Sequence, residues 1–208
     1  MAGHTTRLLY EEPFVEMCAN LSNWRIDSFM RHLEAEKRKG RVLAFVRGLR
    51  FSALLTYAVR DILSGTGLSA NWGHLIDETG TLCSRECDVI IHRDGYVQRW
   101  NGKNEAPIMD FKFIAQEDAI AVISCKSYLR TNKVDENYCE SMESFVDRVW
   151  LFAECCGPRS ARNIRKKALD TGYGDFWHLY TWSEKAGQQL NKGGWSRFVE
   201  EVEKLAAI

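Results

Sequence analysis

Apolar residues recur at helical spacing over residues 10–38, at Phe14, Met17, Leu21, Trp24, Phe29 and Leu33. This predicts a first helix, ended by the charged run Glu34 to Lys39 before Gly40. A second helix is predicted from Val42 to Leu63, with Phe45, Leu49, Leu54, Ala58 and Ile62 inward and Gly48 as a weak point in its middle. Ser64-Gly65-Thr66-Gly67 ends it as a turn. The texture then changes to short strand-like runs. Leu68–Ile76 is the first, and Asp88–His92 is a compact β-branched run closed by Arg93-Asp94-Gly95. Because Asp-Gly favours hairpin turns, Tyr96–Trp100 is expected to return as the partner of that strand. Ile108–Ile114 alternates loosely, and Ala119–Cys125 is almost wholly apolar, as a strand buried on both faces should be. A third helix is predicted at about 135–154, where Tyr138, Met142, Phe145, Val149 and Phe152 form one stripe up to the stop at Gly157-Pro158. A basic segment, Arg159 to Lys167, leads to a last strand, Phe176–Trp182, and a closing helix, Trp195–Ala206. With no repeat and no linker, residues 1–208 read as one α/β domain, helical over about 1–64 and with its core over about 65–208.

Composition narrows the class. Hydrophobic residues make up 45% and charged residues 27%, which is globular rather than disordered. Basic and acidic residues balance at 28 each, so net charge gives no support for a nucleic-acid partner, although a local basic patch is compatible with it. Seven cysteines are an odd count and read as free thiols in the core. Neither Cys83 with Cys87 nor Cys155-Cys156 makes a zinc motif. The apolar runs are too short to span a membrane, and residues 1–12 lack the apolar stretch of a signal peptide. The expectation is a cytoplasmic protein with no membrane partner.

The chemistry concentrates in two segments. Asp88 opens a short apolar strand, and 36 residues later Ala121-Val122-Ile123-Ser124-Cys125-Lys126 runs an apolar strand into a lysine. Residues two apart on a strand share a face. An acid on one strand and an acid and a lysine spaced two apart on its neighbour therefore converge. That set can hold a divalent cation and place a positive charge beside a scissile phosphate.

In this respect the chain resembles the PD-(D/E)XK nuclease superfamily. More narrowly, Ser84-Arg85-Glu86-Cys87-Asp88-Val89-Ile90-Ile91, followed by Ala119 to Leu129, is similar to a family of uncharacterised domains with Ser-x-x-x-Asp before one strand and Glu-x-Lys-Ser at the end of another. The resemblance covers roughly residues 40–155, including Gly65-Thr66-Gly67. It implies a restriction-endonuclease-like core, a central mixed β-sheet flanked by helices, with helices N-terminal to it. It also implies a Mg²⁺- or Mn²⁺-dependent endonuclease acting on DNA, RNA not being excluded, and a homodimer if both strands of a duplex are cut.

One position departs from the pattern: Ser124 stands where the acid is expected, and a hydroxyl brings no charge to a metal. The CCGG-family restriction endonucleases, in the same superfamily, carry Ser-x-Lys and supply the acid from the following helix. By that resemblance Glu140 is the replacement, with Asp88 and Glu140 as metal ligands, Glu86 as a further one, Lys126 orienting water or offsetting charge, and Ser124 in a supporting role. Glu136 and Glu143 neighbour Glu140 on the same predicted helix, where solvated charges are the ordinary expectation. The superfamily often adds a glutamate from the helix before the first strand, but here Gly48-Leu49-Arg50-Phe51-Ser52 falls at that place. The alternative is therefore a catalytically inactive module that keeps the fold to bind nucleic acid or a protein.

For substrate contact, Arg159, Arg162, Arg165, Lys166 and Lys167 form the clearest basic cluster, with Arg47, Arg50 and Arg60 on the second helix. A serine hydrolase built on Ser124 is set aside, because no Gly-x-Ser-x-Gly turn surrounds it and a buried strand does not expose a nucleophile.

Overall fold

The computed structural model describes residues 40–94, 97–99, 111–183, 185 and 187–207. The helix expected over 10–38 lies outside the described residues. The chain runs α1 (Gly40–Ile62), β1 (Leu68–Ile76), β2 (Cys87–Arg93), β3 (Val97–Arg99), β4 (Phe111–Ala115), β5 (Ala119–Leu129), α2 (Glu136–Glu140), β6 (Val149–Cys156), α3 (Ala161–Asp170), β7 (Asp175–Ser183), β8 (Gly187–Leu190) and α4 (Lys192–Leu205).

The strands form one mixed sheet of eight in the order β3-β4-β1-β2-β5-β6-β7-β8. β2 lies antiparallel between β1 and β5, and β5, β6 and β7 run parallel. Two hydrophobic layers clamp this sheet. On one face α1 contributes Phe51, Leu55, Ala58 and Val59, followed by Leu63 just past its end, and α4 contributes Trp195, Phe198, Val199, Val202 and Leu205. The other layer is built from α2 and the turn after it (Tyr138, Cys139, Met142, Val146) and from Ile164 and Ala168 of α3. The stripe on α1 has the i, i+4, i+7, i+8 spacing of a helix facing a core, rotated from the expected face so that Leu54 and Ile62 pack at its margin. Gly65 and Gly67, at φ 78° and 77°, turn the chain out of α1 into β1 with a backbone that a side chain would strain. The closing helix starts at Asn191, whose side chain accepts from the Gly194 N–H.

Two sequence expectations are corrected. The helix predicted over 135–154 is only the five residues of α2, and Val149–Cys156 is instead the strand β6, buried at all eight positions. A strand enclosed between two parallel neighbours loses the polar alternation of a surface strand, and β6 is apolar at every position but Glu154, so its Val149 and Phe152 fall on a helical stripe by coincidence. The hairpin expected after β2 does not form, since β3 pairs with β4 at the sheet edge, with β4 and β1 lying between it and β2. Local turn chemistry lost to pairing with a more distant segment. The basic segment after Pro158 forms the amphipathic helix α3.

Cys83, Cys87, Cys125, Cys139, Cys155 and Cys156 are free thiols, all but Cys83 buried. Among the described residues no helix is long and apolar enough to cross a membrane.

Candidate active site

The site forms where β2 begins against the middle of β5. Val89 lies opposite Ile123 in the antiparallel ladder, and continuing that pairing by one residue sets Asp88 across from Ser124. The carboxylate is half-buried and held from two sides. Its Oδ2 accepts from the Cys125 N–H at 2.8 Å, and its Oδ1 accepts from Ser52 Oγ of α1 at 3.1 Å. Ser52 lies at the end of the segment in which a glutamate was sought, and it ties α1 to the strand pair. On β5, Lys126 Nζ donates to Ser124 Oγ at 3.0 Å, and Ser124 is fully buried.

Burial raises the Asp88 pKa above its ordinary 3.8, opposed first by the positive charge of Lys126 and then by the Cys125 N–H and Ser52 hydroxyl, while the charge of Glu86 pushes it further up. The Cys125 thiol is pushed well above its usual value by burial and is a core residue, not a nucleophile.

Removing the Ser52 hydroxyl leaves Asp88 Oδ1 without that donor. Ser52→Ala is expected to cost about 1–2 kcal/mol in urea unfolding, the range for a partly buried bond to a charged group. A cost below about 0.3 kcal/mol would contradict a clamping role for that bond.

The other expected ligands sit differently. Glu86 is exposed, accepts from Trp72 Nε1 at 2.8 Å, and is one of the two side-chain charges acting most strongly on Asp88. Glu140 ends α2 exposed to solvent and is not among the groups acting most strongly on Asp88. Its expected place at the edge of a long buried stripe is lost with the long helix itself. Glu136 pairs with Lys167.

The basic cluster divides in the same way. Arg165 is engaged bidentately with Asp175, at 2.8 and 3.1 Å, and Lys167 with Glu136, whereas Arg159, Arg162 and Lys166 are exposed. Arg60 is turned inward, both Nε and Nη2 donating to the Ala70 carbonyl, and the side chains of Arg47 and Arg50 lie outside the described residues. A cleft of about 500 Å³ opens between α3 and the start of α4, lined by three arginines (Arg162, Arg165, Arg197) and three acids (Asp175, Glu200, Glu201), of which Arg165 is paired with Asp175.

Two buried groups were missed in the sequence. Glu154 is only 3% exposed, on β6 immediately after Ala153, the partner of Lys126 in the ladder. Reading β6 as helix hid it. Tyr173, 2% exposed, stacks on Tyr138 with ring centroids 6.3 Å apart.

No cluster of three or more His, Cys, Asp or Glu residues suited to a metal occurs among the described residues. Magnesium, however, is commonly held by one or two carboxylates together with waters and substrate phosphates. A carboxylate has about four lone-pair positions, of which the two bonds at Asp88 use two. Asp88, with Glu86 close by, fits that kind of sparse site.

No family model and no curated protein matches the chain. Solved structures do match. The apo form of NucC from E. coli MS115-1 aligns with a TM-score of 0.51 at 11% identity, covering 76% of this chain and 85% of that one. The cAAA-bound form of the same protein aligns with a TM-score of 0.50 at 10% identity, covering 73% and 76%. The fold is restriction-endonuclease-like. At such identity the likeness is one of architecture alone, and activity has to be argued from the side chains.

Proposed function

We propose that the chain is a metal-dependent nuclease that hydrolyses phosphodiester bonds in DNA. The observation that carries this reading is the meeting of Asp88 and Lys126 on adjacent strands of a nuclease-type sheet, close enough for the lysine to be the strongest force opposing protonation of the carboxylate. Asp88 and Glu86 would hold Mg²⁺ or Mn²⁺, which when bound supplies a more acidic water and offsets charge on the phosphate. Lys126 orients the attacking water or stabilises charge on the scissile phosphate, its ammonium aimed by Ser124. Ser52 and the Cys125 N–H hold the Asp88 carboxylate in one orientation. The exposed Arg159, Arg162 and Lys166 are suited to the DNA backbone, and Arg165 and Lys167 would first have to leave their acids. Glu86 now stands ahead of Glu140 as the second carboxylate, because it is Glu86 whose charge bears on Asp88.

A second reading is favoured by one observation. Where the resemblance expects acids on the strand and in the segment Gly48 to Ser52, the chain has Ser124 and, at the end of that segment, Ser52, both buried and both already hydrogen-bonded. A module of this kind would bind nucleic acid or protein without cutting.

Thermal melting separates the two. At ten times Kd a cation that binds only the folded state adds about 1.4 kcal/mol, which in a chain of this size raises Tm by roughly 3–5 °C. That rise is expected with Mg²⁺ or Mn²⁺ and should disappear in Asp88→Asn. No rise with either ion at millimolar concentration would favour the non-catalytic module.

A further inference from the structure

The cleft between α3 and α4 holds positive charge that the fold leaves unused. Arg165 is engaged with Asp175, and Glu201 is paired with Lys204. Arg162 and Arg197, both exposed on the cleft walls, make no ion pair among the described residues. His178, half-buried on β7, lines the same cleft.

The protonation of that histidine follows from its neighbours. Asn191 accepts the Gly194 N–H on its Oδ1 at 3.1 Å, so its amide nitrogen is the end turned to β7. That nitrogen donates to the His178 carbonyl at 3.2 Å and lies 3.1 Å from Nε2 of the same residue. A side chain at Gly194 would collide with this amide, so the glycine keeps the arrangement in place. An amide N–H facing a ring nitrogen makes that nitrogen an acceptor, and the neutral imidazole then carries its proton on Nδ1. Burial first, and then the charge of Arg197, holds the His178 pKa below its ordinary 6.5, so this neutral form prevails near neutral pH. The Nδ1–H has no acceptor among the described residues.

The strand register ties His178 to the candidate active site. Lys126 pairs with Ala153, and Ala153 with His178, in one row across three parallel strands. The row two residues earlier is Ser124, Leu151 and Phe176. Leu151, Ala153 and Phe176 belong to the layer under α2 and α3, and the Phe176 ring stacks on His178 at 5.6 Å. Lys126 reaches Ser124, so both rows face this one side of the sheet. With neighbouring strands about 4.8 Å apart, the backbones at Lys126 and His178 are roughly 10 Å apart. That is about three nucleotide steps along one strand of a duplex, at about 3.4 Å each.

We infer that this cleft is a second phosphate subsite, in which His178 Nδ1–H, Arg197 and Arg162 take a backbone phosphate of the DNA strand that Asp88 and Lys126 engage. The inference deepens the nuclease reading and rests on it for the identity of the strand. None of the three side chains acts on the scissile bond. They fix where along the strand that bond falls, by holding a phosphate a few nucleotides away.

The test measures duplex DNA binding in EDTA and single-turnover cleavage in Mg²⁺ for Arg197→Gln, Arg197→Lys and His178→Gln. Arg197 is exposed, so its replacement leaves the core untouched. Arg197→Gln and His178→Gln are each expected to raise Kd about tenfold, the loss of one bond to a charged group. Arg197→Gln should also flatten the dependence of log Kd on log salt by about one, and Arg197→Lys should restore it. Cleavage at saturating DNA should stay within about twofold of wild type, because strand positioning and not the chemical step has been weakened. Wild-type Kd and salt slope in both glutamine variants, beside a wild type that cuts, overturn the inference and leave the nuclease reading standing. A defect confined to His178→Gln and accompanied by a Tm lowered by several degrees also overturns it, making His178 a packing residue. A deoxynucleoside monophosphate that binds wild type but not Arg197→Gln, with duplex affinity unchanged, overturns it in favour of a small phosphorylated ligand. A wild type that never cuts but loses DNA affinity in Arg197→Gln removes the nuclease reading and keeps the subsite.

Discussion

Lys126→Ala is expected to lower the rate of DNA cleavage about 10²–10³-fold, the usual effect of removing one group aimed at developing charge. The lysine sits half-buried on β5, its Nζ 3.0 Å from Ser124 Oγ. Its loss removes the charge intended for the phosphate and also the strongest force keeping Asp88 ionised. With burial then opposed only by the Cys125 N–H and the Ser52 hydroxyl, the Asp88 pKa moves further above 3.8. A smaller fraction of the protein then carries the carboxylate form at a given pH. Both effects act in the same direction. Lys126→Met, which keeps length and loses charge, should match the alanine variant, and neither should lower Tm by more than a few degrees because the ammonium is not part of the core. Single-turnover cleavage within about threefold of wild type for both variants would contradict a chemical role for the lysine.

The largest stability effect is expected at Phe152. It is fully buried on β6, with ring centroids 4.7 Å from Phe198, 5.9 Å from Phe51 and 6.2 Å from Trp195. It therefore joins α1 and α4 to the middle of the sheet. Phe152→Ala removes that junction and leaves a cavity between three large rings, at a cost of about 3–5 kcal/mol. For a chain of this size that is a Tm lowered by roughly 6–20 °C. The effect should reach the site, because Leu151 and Ala153, on either side of Phe152, pair with Ser124 and Lys126. Urea unfolding of Phe152→Ala and Phe152→Leu measures the cost, and the leucine variant should lose only about a third as much. An alanine cost below about 1.5 kcal/mol would contradict this packing.

What the sequence made legible follows from which interactions are local. β2 and β5 could be read because a β-branched or wholly apolar run ending in a charged residue is unambiguous over a few positions. The pairing of Asp88 with the Ser124–Lys126 strand followed from that. β6 could not be separated from a helix, because a strand buried on both faces has lost the alternation that identifies a strand, and Tyr138 and Met142 extended a false stripe into it. With that strand misread, Glu154 went unnoticed and Glu140 was given a long helix to stand on. The pairing of β3 with β4 and the engagement of Arg165 with Asp175 and of Lys167 with Glu136 depend on tertiary contacts that no local pattern encodes. Ser52 lies between these cases: its segment was recognised as the place for a catalytic acid, but only the packed helix reveals that a hydroxyl there holds the Asp88 carboxylate.

The proposal that this fold cuts DNA is tested most directly by incubating supercoiled plasmid with the purified protein in Mg²⁺, in Mn²⁺ and in EDTA, alongside Asp88→Asn. Nicked or linear DNA is predicted with either cation, intact DNA in EDTA, and intact DNA with the variant under every condition. Plasmid left intact by the wild-type protein in both cations, or cut equally well by Asp88→Asn, would contradict it.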